Sequence, residues 1–258
     1  MSKKNIIIVG YPKSGTTWIS RLVAELVQCP LRGDWGYEDF ESLYTEGNHR
    51  DSSFQCFKSH HEYQEINTVS NLTIHKVIYI IRDPRDIVIS GMHYFRFTTR
   101  YISVLKRIRL HTLEQFLREK FNQNLSLKKK KKRMIQAVLY KGKNVNRWLK
   151  PSWKKHYQGY LNKNILFITY ENLLNSPKTE CDKIMKYLDI VTTSDHIKQS
   201  IEKQSFRKRK KEVLRQDDSS LKKLIRKGSS GYWKEEFTEK EIFLFREVLK
   251  TSDEFYKF

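Results

Sequence analysis

Three cysteines in 258 residues, Cys29, Cys56 and Cys181, show no paired spacing, no CxxC motif and no zinc-ligand arrangement. They read as reduced thiols of a cytoplasmic protein. Acidic side chains are also scarce: 29 Asp and Glu stand against 50 Lys and Arg, for a net charge of +21. Such a balance suits polyanionic partners (nucleic acid, an anionic membrane or a phosphorylated cofactor) without choosing among them. No stretch approaches the ~18 apolar residues of a membrane span. The apolar run after Lys3 and Lys4 is too short for a signal h-region, so a soluble chain is expected. With 38% hydrophobic and 13% aromatic residues, the composition is globular, and residues 1–258 are expected to form a single domain.

What is present begins near the N-terminus. Ile6-Ile7-Ile8-Val9 are four consecutive β-branched residues, the pattern of a strand buried inside a parallel sheet. A turn with Gly10, Pro12 and Gly15 follows, and then Ile19 to Val27 at helical spacing. A strand, a small-residue loop and a helix N-terminus together make an anion site, because unpaired N–H groups and the positive dipole end point the same way. Lys13 adds a full charge there, and Ser14, Thr16 and Thr17 add hydroxyls. Gly10 and Gly15 have the G-x-x-x-x-G spacing of a triphosphate loop, but Thr16 stands where that loop needs lysine.

Tyr11-Pro12-Lys13-Ser14-Gly15-Thr16-Thr17-Trp18 instead resembles the 5′-phosphosulfate loop of the cytosolic sulfotransferases. That family moves a sulfuryl group from 3′-phosphoadenosine 5′-phosphosulfate (PAPS) to an acceptor and releases 3′,5′-adenosine bisphosphate (PAP). The resemblance implies a three-layer α/β/α fold with a central parallel sheet, related to the P-loop NTPases, and no metal. It also makes Lys13, Ser14, Gly15, Thr16, Thr17 and Trp18 cofactor-binding residues.

Further segments resemble the family in its own order. Phe54-Gln55-Cys56-Phe57-Lys58-Ser59-His60-His61 is similar to the K-[ST]-H stretch, which maps a catalytic lysine to Lys58 and the catalytic histidine to His60. His61 stands where the family continues with an apolar residue, so which histidine faces the site stays open. Arg82, after a strand at 76–81, and Ser90, eight residues on, match the 3′-phosphate segment. Tyr170 fits the strand-Tyr-Glu segment. Phe206 fits an aromatic that packs on adenine opposite Trp18. Arg226-Lys227-Gly228 opens a stretch resembling R-K-G-x-x-G-x-W-K-x-x-F-T, which grips the 3′-phosphate. The implied roles are His60 as general base, Lys13 and Lys58 as cations at the leaving oxygen and the sulfuryl oxygens, and Ser90 as a restraint on Lys13. The dimerisation pattern is half present. Lys234 and Thr238 fit, while Glu239 and Phe243 depart from it, leaving a monomer or an alternative dimer.

The acidic, aromatic stretch Asp34 to Glu41, with Glu46 and Asp51, reads either as a solvated loop or as part of a pocket for a neutral or cationic acceptor. Leu110–Phe121 and Met134–Trp153 carry helical patterns, and the block Lys128–Arg133 between them reads as a solvated or flexible loop. The tract Arg207–Lys211 reads as exposed. The expected function is transfer of a sulfuryl group to a hydroxyl or amine of a small molecule. The short chain further resembles bacterial enzymes that tailor secondary metabolites. A P-loop kinase or NTPase is the alternative from the loop, and a nucleic-acid-binding protein the alternative from charge. Neither a membrane nor nucleic acid is the expected partner.

Overall fold

A computed structural model describes residues 3–37, 45–142, 145, 147–215 and 228–249. In chain order the elements begin with β1 (Lys4–Gly10), α1 (Thr16–Leu26), β2 (Leu31–Asp34), β3 (Phe54–Ser59), α2 (Tyr63–Ile66) and β4 (Ile74–Ile81). Then come α3 (Pro84–Tyr94), α4 (Arg100–Arg107), α5 (His111–Gln123), α6 (Leu127–Leu139) and α7 (Trp153–Gln158). The remainder is β5 (Leu166–Thr169), α8 (Tyr170–Asn175), α9 (Pro177–Tyr187), α10 (Ser194–Lys203), α11 (Phe206–Arg215), α12 (Trp233–Glu236) and α13 (Glu239–Leu249).

Among the described residues five strands form one sheet in the order β2-β3-β1-β4-β5, with every pairing parallel. Ile6, Ile7, Ile8 and Val9 are all fully buried, as the central strand of a parallel sheet is on both faces. Burial of each such side chain contributes about 1.5–3 kcal/mol. From β1 the chain builds β2 and β3 on one side and then crosses to β4 and β5 on the other. This makes the carboxyl end of β1 the topological switch point, where open α/β sheets bind ligands. The expected parallel α/β sheet is therefore present. β2 is an element that periodicity did not reveal, since Leu31-Arg32-Gly33-Asp34 is short, charged and interrupted by glycine.

The chain divides into two compact units. The first holds the sheet and runs to Arg82, returning from Tyr157 to Ser230. Its core packs α1, α9 and α10 side chains such as Leu22, Ile184 and Ile197 against Ile6, Ile8, Ile78 and Ile80. All three cysteines lie buried as free thiols, and burial pushes Cys29 and Cys181 up to about 12. On the same unit Glu25 accepts from Arg50 at 2.6 Å and Lys203 at 2.8 Å.

The second unit runs from Asp83 to His156 and resumes at Gly231. Asp83 caps α3 through the Arg85 N–H, and Pro84 begins the helix where its missing N–H costs nothing. The Asp86 carboxylate accepts from the N–H groups of Gly231 (2.7 Å) and Trp233 (3.3 Å), and the Arg85 guanidinium stacks 3.5 Å from the Trp233 ring centre. Two expectations need correction here. The lysine block is not a loop: Ser126 caps α6 and Lys128–Arg133 form its first turns. Lys131 donates to the Glu236 carbonyl and Glu241, and Arg133 to the Thr98 carbonyl, so part of the block anchors the helix. The helical pattern from Met134 also stops at Leu139, where Gly142 comes against the Leu149 carbonyl too closely for any side chain. No helix among the described residues is long and apolar enough to cross a membrane.

Candidate active site

The loop after β1 is shaped by backbone conformations that few residue types accept. Lys13 has φ 73° and Gly15 φ 95°, both left-handed, and the Ser14 N–H closes a turn onto the Tyr11 carbonyl at 3.0 Å. Gly15 is the N-cap of α1 and brings no capping side chain. A Cβ on Gly15 would lie 2.7 Å from the Tyr170 ring, so glycine is required sterically as well as conformationally. The Ser14 hydroxyl is fully buried in this loop and has no hydrogen-bond partner.

Arg82, directly after β4, ties the loop to two other segments. Its Nη1 donates to the Lys13 carbonyl and its Nη2 to the Ser229 carbonyl, each at 3.1 Å, while the guanidinium stacks 4.1 Å from the Tyr170 ring centre. Its Nε is buried without a partner, as is the Ser229 hydroxyl. Leaving a buried polar group unsatisfied costs about 1–3 kcal/mol. Three such atoms, Ser14 Oγ, Arg82 Nε and Ser229 Oγ, can all donate, and all lie on segments that Arg82 connects. Ser229 is missing from the sequence expectations because it occupies a variable position of the R-K-G-x-x-G stretch.

The aromatic residues sit nearby. Trp18 meets Tyr170 edge-on at 5.6 Å, and its indole N–H donates to the Gln204 carbonyl, two residues before Phe206. Phe206 opens α11 with its ring against Gly228, whose φ of 65° and lack of Cβ permit that approach. Arg226 and Lys227 lie outside the described residues. Ser90 is half-buried in α3 of the second unit.

At the end of β3 the two histidines differ. His61 is buried; its Nδ1 meets the Ser59 hydroxyl at 3.1 Å and its carbonyl accepts from the Tyr160 hydroxyl at 2.7 Å. His60 is half-buried, with Nδ1 2.7 Å from the Gly10 carbonyl at the start of the anion loop. A carbonyl only accepts, so Nδ1 donates to it, and in the neutral imidazole Nε2 carries the lone pair. Lys58 is buried, and its Nζ lies 3.0 Å from Asp34, its register partner on β2. Burial pulls the Lys58 ammonium below its ordinary range, and the Asp34 carboxylate opposes that pull.

Asp34 is thereby committed to an ion pair. So is Glu46, which meets Arg21 at 2.8 Å and Arg209 at 2.5 Å, while Trp35 is buried with its N–H on the Ile66 carbonyl. Residues 38–41 of the acidic stretch lie outside the described residues. The Arg207–Lys211 tract is helical and mostly exposed, as expected, apart from Arg209. Asp83, the acidic residue that follows β4 and Arg82, is paired with Arg85 at 2.6 Å.

The profile of the family described as Sulfotransferase domain matches residues 3–257. The chain belongs to the sulfotransferase family. It is 26% identical to sulfotransferase 2A6 of Mus musculus over 96% of this chain and 83% of that one, and 26% identical to sulfotransferase 2A1 of Homo sapiens over 91% and 79%. Its fold is similar to that of mouse sulfotransferase SULT7A1 complexed with PAP, with a TM-score of 0.67, 22% identity and coverage of 98% and 87%. It is also similar to retinol dehydratase, crystallised with PAP and androsterone, with a TM-score of 0.63, 16% identity and coverage of 98% and 82%. As a sulfotransferase the chain has its loop lysine at position 13, inside the turn, and the triphosphate reading is set aside. The family's acceptors are small molecules.

Proposed function

We propose that this sulfotransferase takes its sulfuryl group from PAPS and transfers it to a hydroxyl or amine of a small-molecule acceptor, with His60 as general base. The observation that carries the reading is the Nδ1 contact of His60 with the Gly10 carbonyl, which presets the lone pair on Nε2 beside the anion loop. Histidine is the side chain suited to proton removal near neutral pH.

The residues present fit the donor. Ser14 Oγ, Arg82 Nε and Ser229 Oγ are buried atoms in need of acceptors, and phosphate and sulfate oxygens are acceptors only. Lys13, Ser14, Gly15, Thr16 and Thr17 would hold its 5′ end. Arg82 and Ser229 would hold its 3′-phosphate, to which the family pattern adds Ser90, Arg226, Lys227 and Gly228. Trp18 and Phe206 would flank the base, with Tyr170 beneath the loop. When bound, the donor supplies an activated sulfuryl group on a phosphate leaving group. Transfers of this kind proceed through loose transition states, so the protein contributes position and charge rather than covalent chemistry. Lys13 brings positive charge to the loop. Lys58 brings a second cation, which Asp34 pairs with at 3.0 Å and orients. His60 Nε2 takes the proton of the acceptor. Three buried thiols suit a reducing compartment such as the cytoplasm.

The test pairs His60→Ala with His61→Ala. Loss of a general base lowers kcat about 10²–10⁴-fold, and PAP binding should survive His60→Ala. His61→Ala should lower stability instead, because its ring is buried on Ser59. Full turnover in His60→Ala refutes the assignment. Thermal stabilisation by Mg-ATP but not by PAP refutes the donor.

A further inference from the structure

The second unit exposes an apolar face that its own core does not need. Six of the twelve large hydrophobic side chains exposed among the described residues fall within sixteen consecutive positions: Tyr101 (86% exposed), Val104, Ile108, Leu110, Leu113 and Phe116. Tyr101, Val104 and Ile108 are spaced i, i+3, i+7, so they share one face of α4 and its C-terminal turn. Leu105, four residues after Tyr101, and Ile102 continue the stripe toward its inner edge and are half-buried. Leu113 and Phe116 likewise share a face of α5, whereas Glu114 turns inward, buried and paired with Arg118. An apolar stripe this broad, with only its inner edge half-buried, leaves its outer part facing solvent.

Charge identifies the occupant. Between Arg100 and Arg133 the sequence carries twelve Lys and Arg against two Glu, and one of those two is the buried Glu114. Lys128, Lys129 and Lys132 project from the first turns of α6 into solvent, and Arg109 is exposed between Ile108 and Leu110. Lys120 lies with its Nζ 4.6 Å over the Phe116 ring, its stem covering apolar surface and its cation at the edge. Aromatic and aliphatic side chains rimmed by cations match the boundary between acyl chains and anionic headgroups. A second copy of the chain would carry its own net charge of +21 and the same Lys- and Arg-rich segment, which opposes self-association through this face. We propose that the α4–α5 face docks on the surface of an anionic lipid bilayer, by shallow insertion of Tyr101, Ile108 and Phe116 within a rim of Lys and Arg. This is a contact with the surface, not a span, and it departs from the expectation of no membrane partner.

Co-sedimentation of the full chain with vesicles tests it. Phosphatidylcholine vesicles containing about 30 mol% phosphatidylserine should carry the protein down, and pure phosphatidylcholine vesicles should not. The triple variant Tyr101→Ser, Ile108→Ser, Phe116→Ser changes only exposed side chains and should keep the wild-type melt while its partition falls about tenfold. Lys128→Gln with Lys129→Gln and Lys132→Gln should lower the partition and weaken its dependence on salt. Four outcomes overturn the proposal. The protein does not bind anionic vesicles at low salt; it binds both vesicle types equally; the triple variant binds like wild type, leaving charge alone as the cause; or light scattering shows a wild-type dimer that the triple variant turns into a monomer, which assigns the face to a second copy.

Discussion

Replacing Arg82 by lysine keeps the charge and removes the geometry, so it separates the two. The guanidinium holds the Lys13 and Ser229 carbonyls at once, each at 3.1 Å, and stacks on Tyr170 at 4.1 Å. A hydrogen bond from a charged donor contributes about 1.5–3 kcal/mol, and a cation over an aromatic face about 0.5–2 kcal/mol. Lysine reaches one carbonyl but not both and cannot lie flat on the ring. One bond and part of the stack are lost. Because Arg82 is half-buried, the lower end of those ranges applies, about 2 kcal/mol, or a thirtyfold change in the unfolding constant. Urea unfolding of the ligand-free protein should therefore show a lower midpoint at unchanged slope. Titration of the same variant with PAP should show weaker binding, since Nε, the buried donor without a partner, is gone. Unchanged ligand-free stability would refute the view that Arg82 fastens the loop to the Ser229 segment. Unchanged PAP affinity would refute the assignment of its Nε to an anion.

Three further outcomes follow from the geometry. Gly15→Ala must place a Cβ 2.7 Å from the Tyr170 ring at φ 95°, and the strain of about 1–3 kcal/mol should appear as a lower melting temperature with weakened PAP binding. Burial already holds Lys58 below its ordinary pKa and Asp34 opposes this, so Asp34→Asn should lower it further and move the alkaline limb of kcat to lower pH. An unmoved limb would detach Lys58 from turnover. Burial alone would raise the Glu25 carboxyl, but hydrogen bonds from Lys203, Arg50 and Gln28 bring it below its reference value of 4.5. Its stabilising effect is therefore complete above that value and fades as the pH falls through the lowered pKa. Glu25→Gln should flatten the acid side of a stability profile measured by denaturant over about pH 3 to 7.

Much of the candidate site was legible because the features that define it are local. The anion loop occupies residues 10–18, and its turn, helix start and buried strand each follow from residue types a few positions apart. Arg82 and Tyr170 were legible through the family's motifs, each standing directly after a strand. β2 was not legible, because four residues with a glycine and two charges carry no periodicity and pair only at the sheet edge. The lysine block was misread because like charges repel in isolation. In the fold, the Ser126 cap and the acceptors of Lys131 offset that repulsion.

Residue order alone supplied the strand-loop-helix that makes an anion site, the parallel sheet and the family, since each depends on neighbours within a dozen positions or on a motif. The tertiary structure distinguished His60 from His61, and gave Lys58 its partner Asp34, 24 positions earlier, and Arg82 its carbonyl at Ser229, 147 positions away. It also left the outer faces of α4 and α5 uncovered. A hydrogen-bond partner or an exposed face is a property of how distant segments meet, and no pattern along the chain encodes that meeting directly.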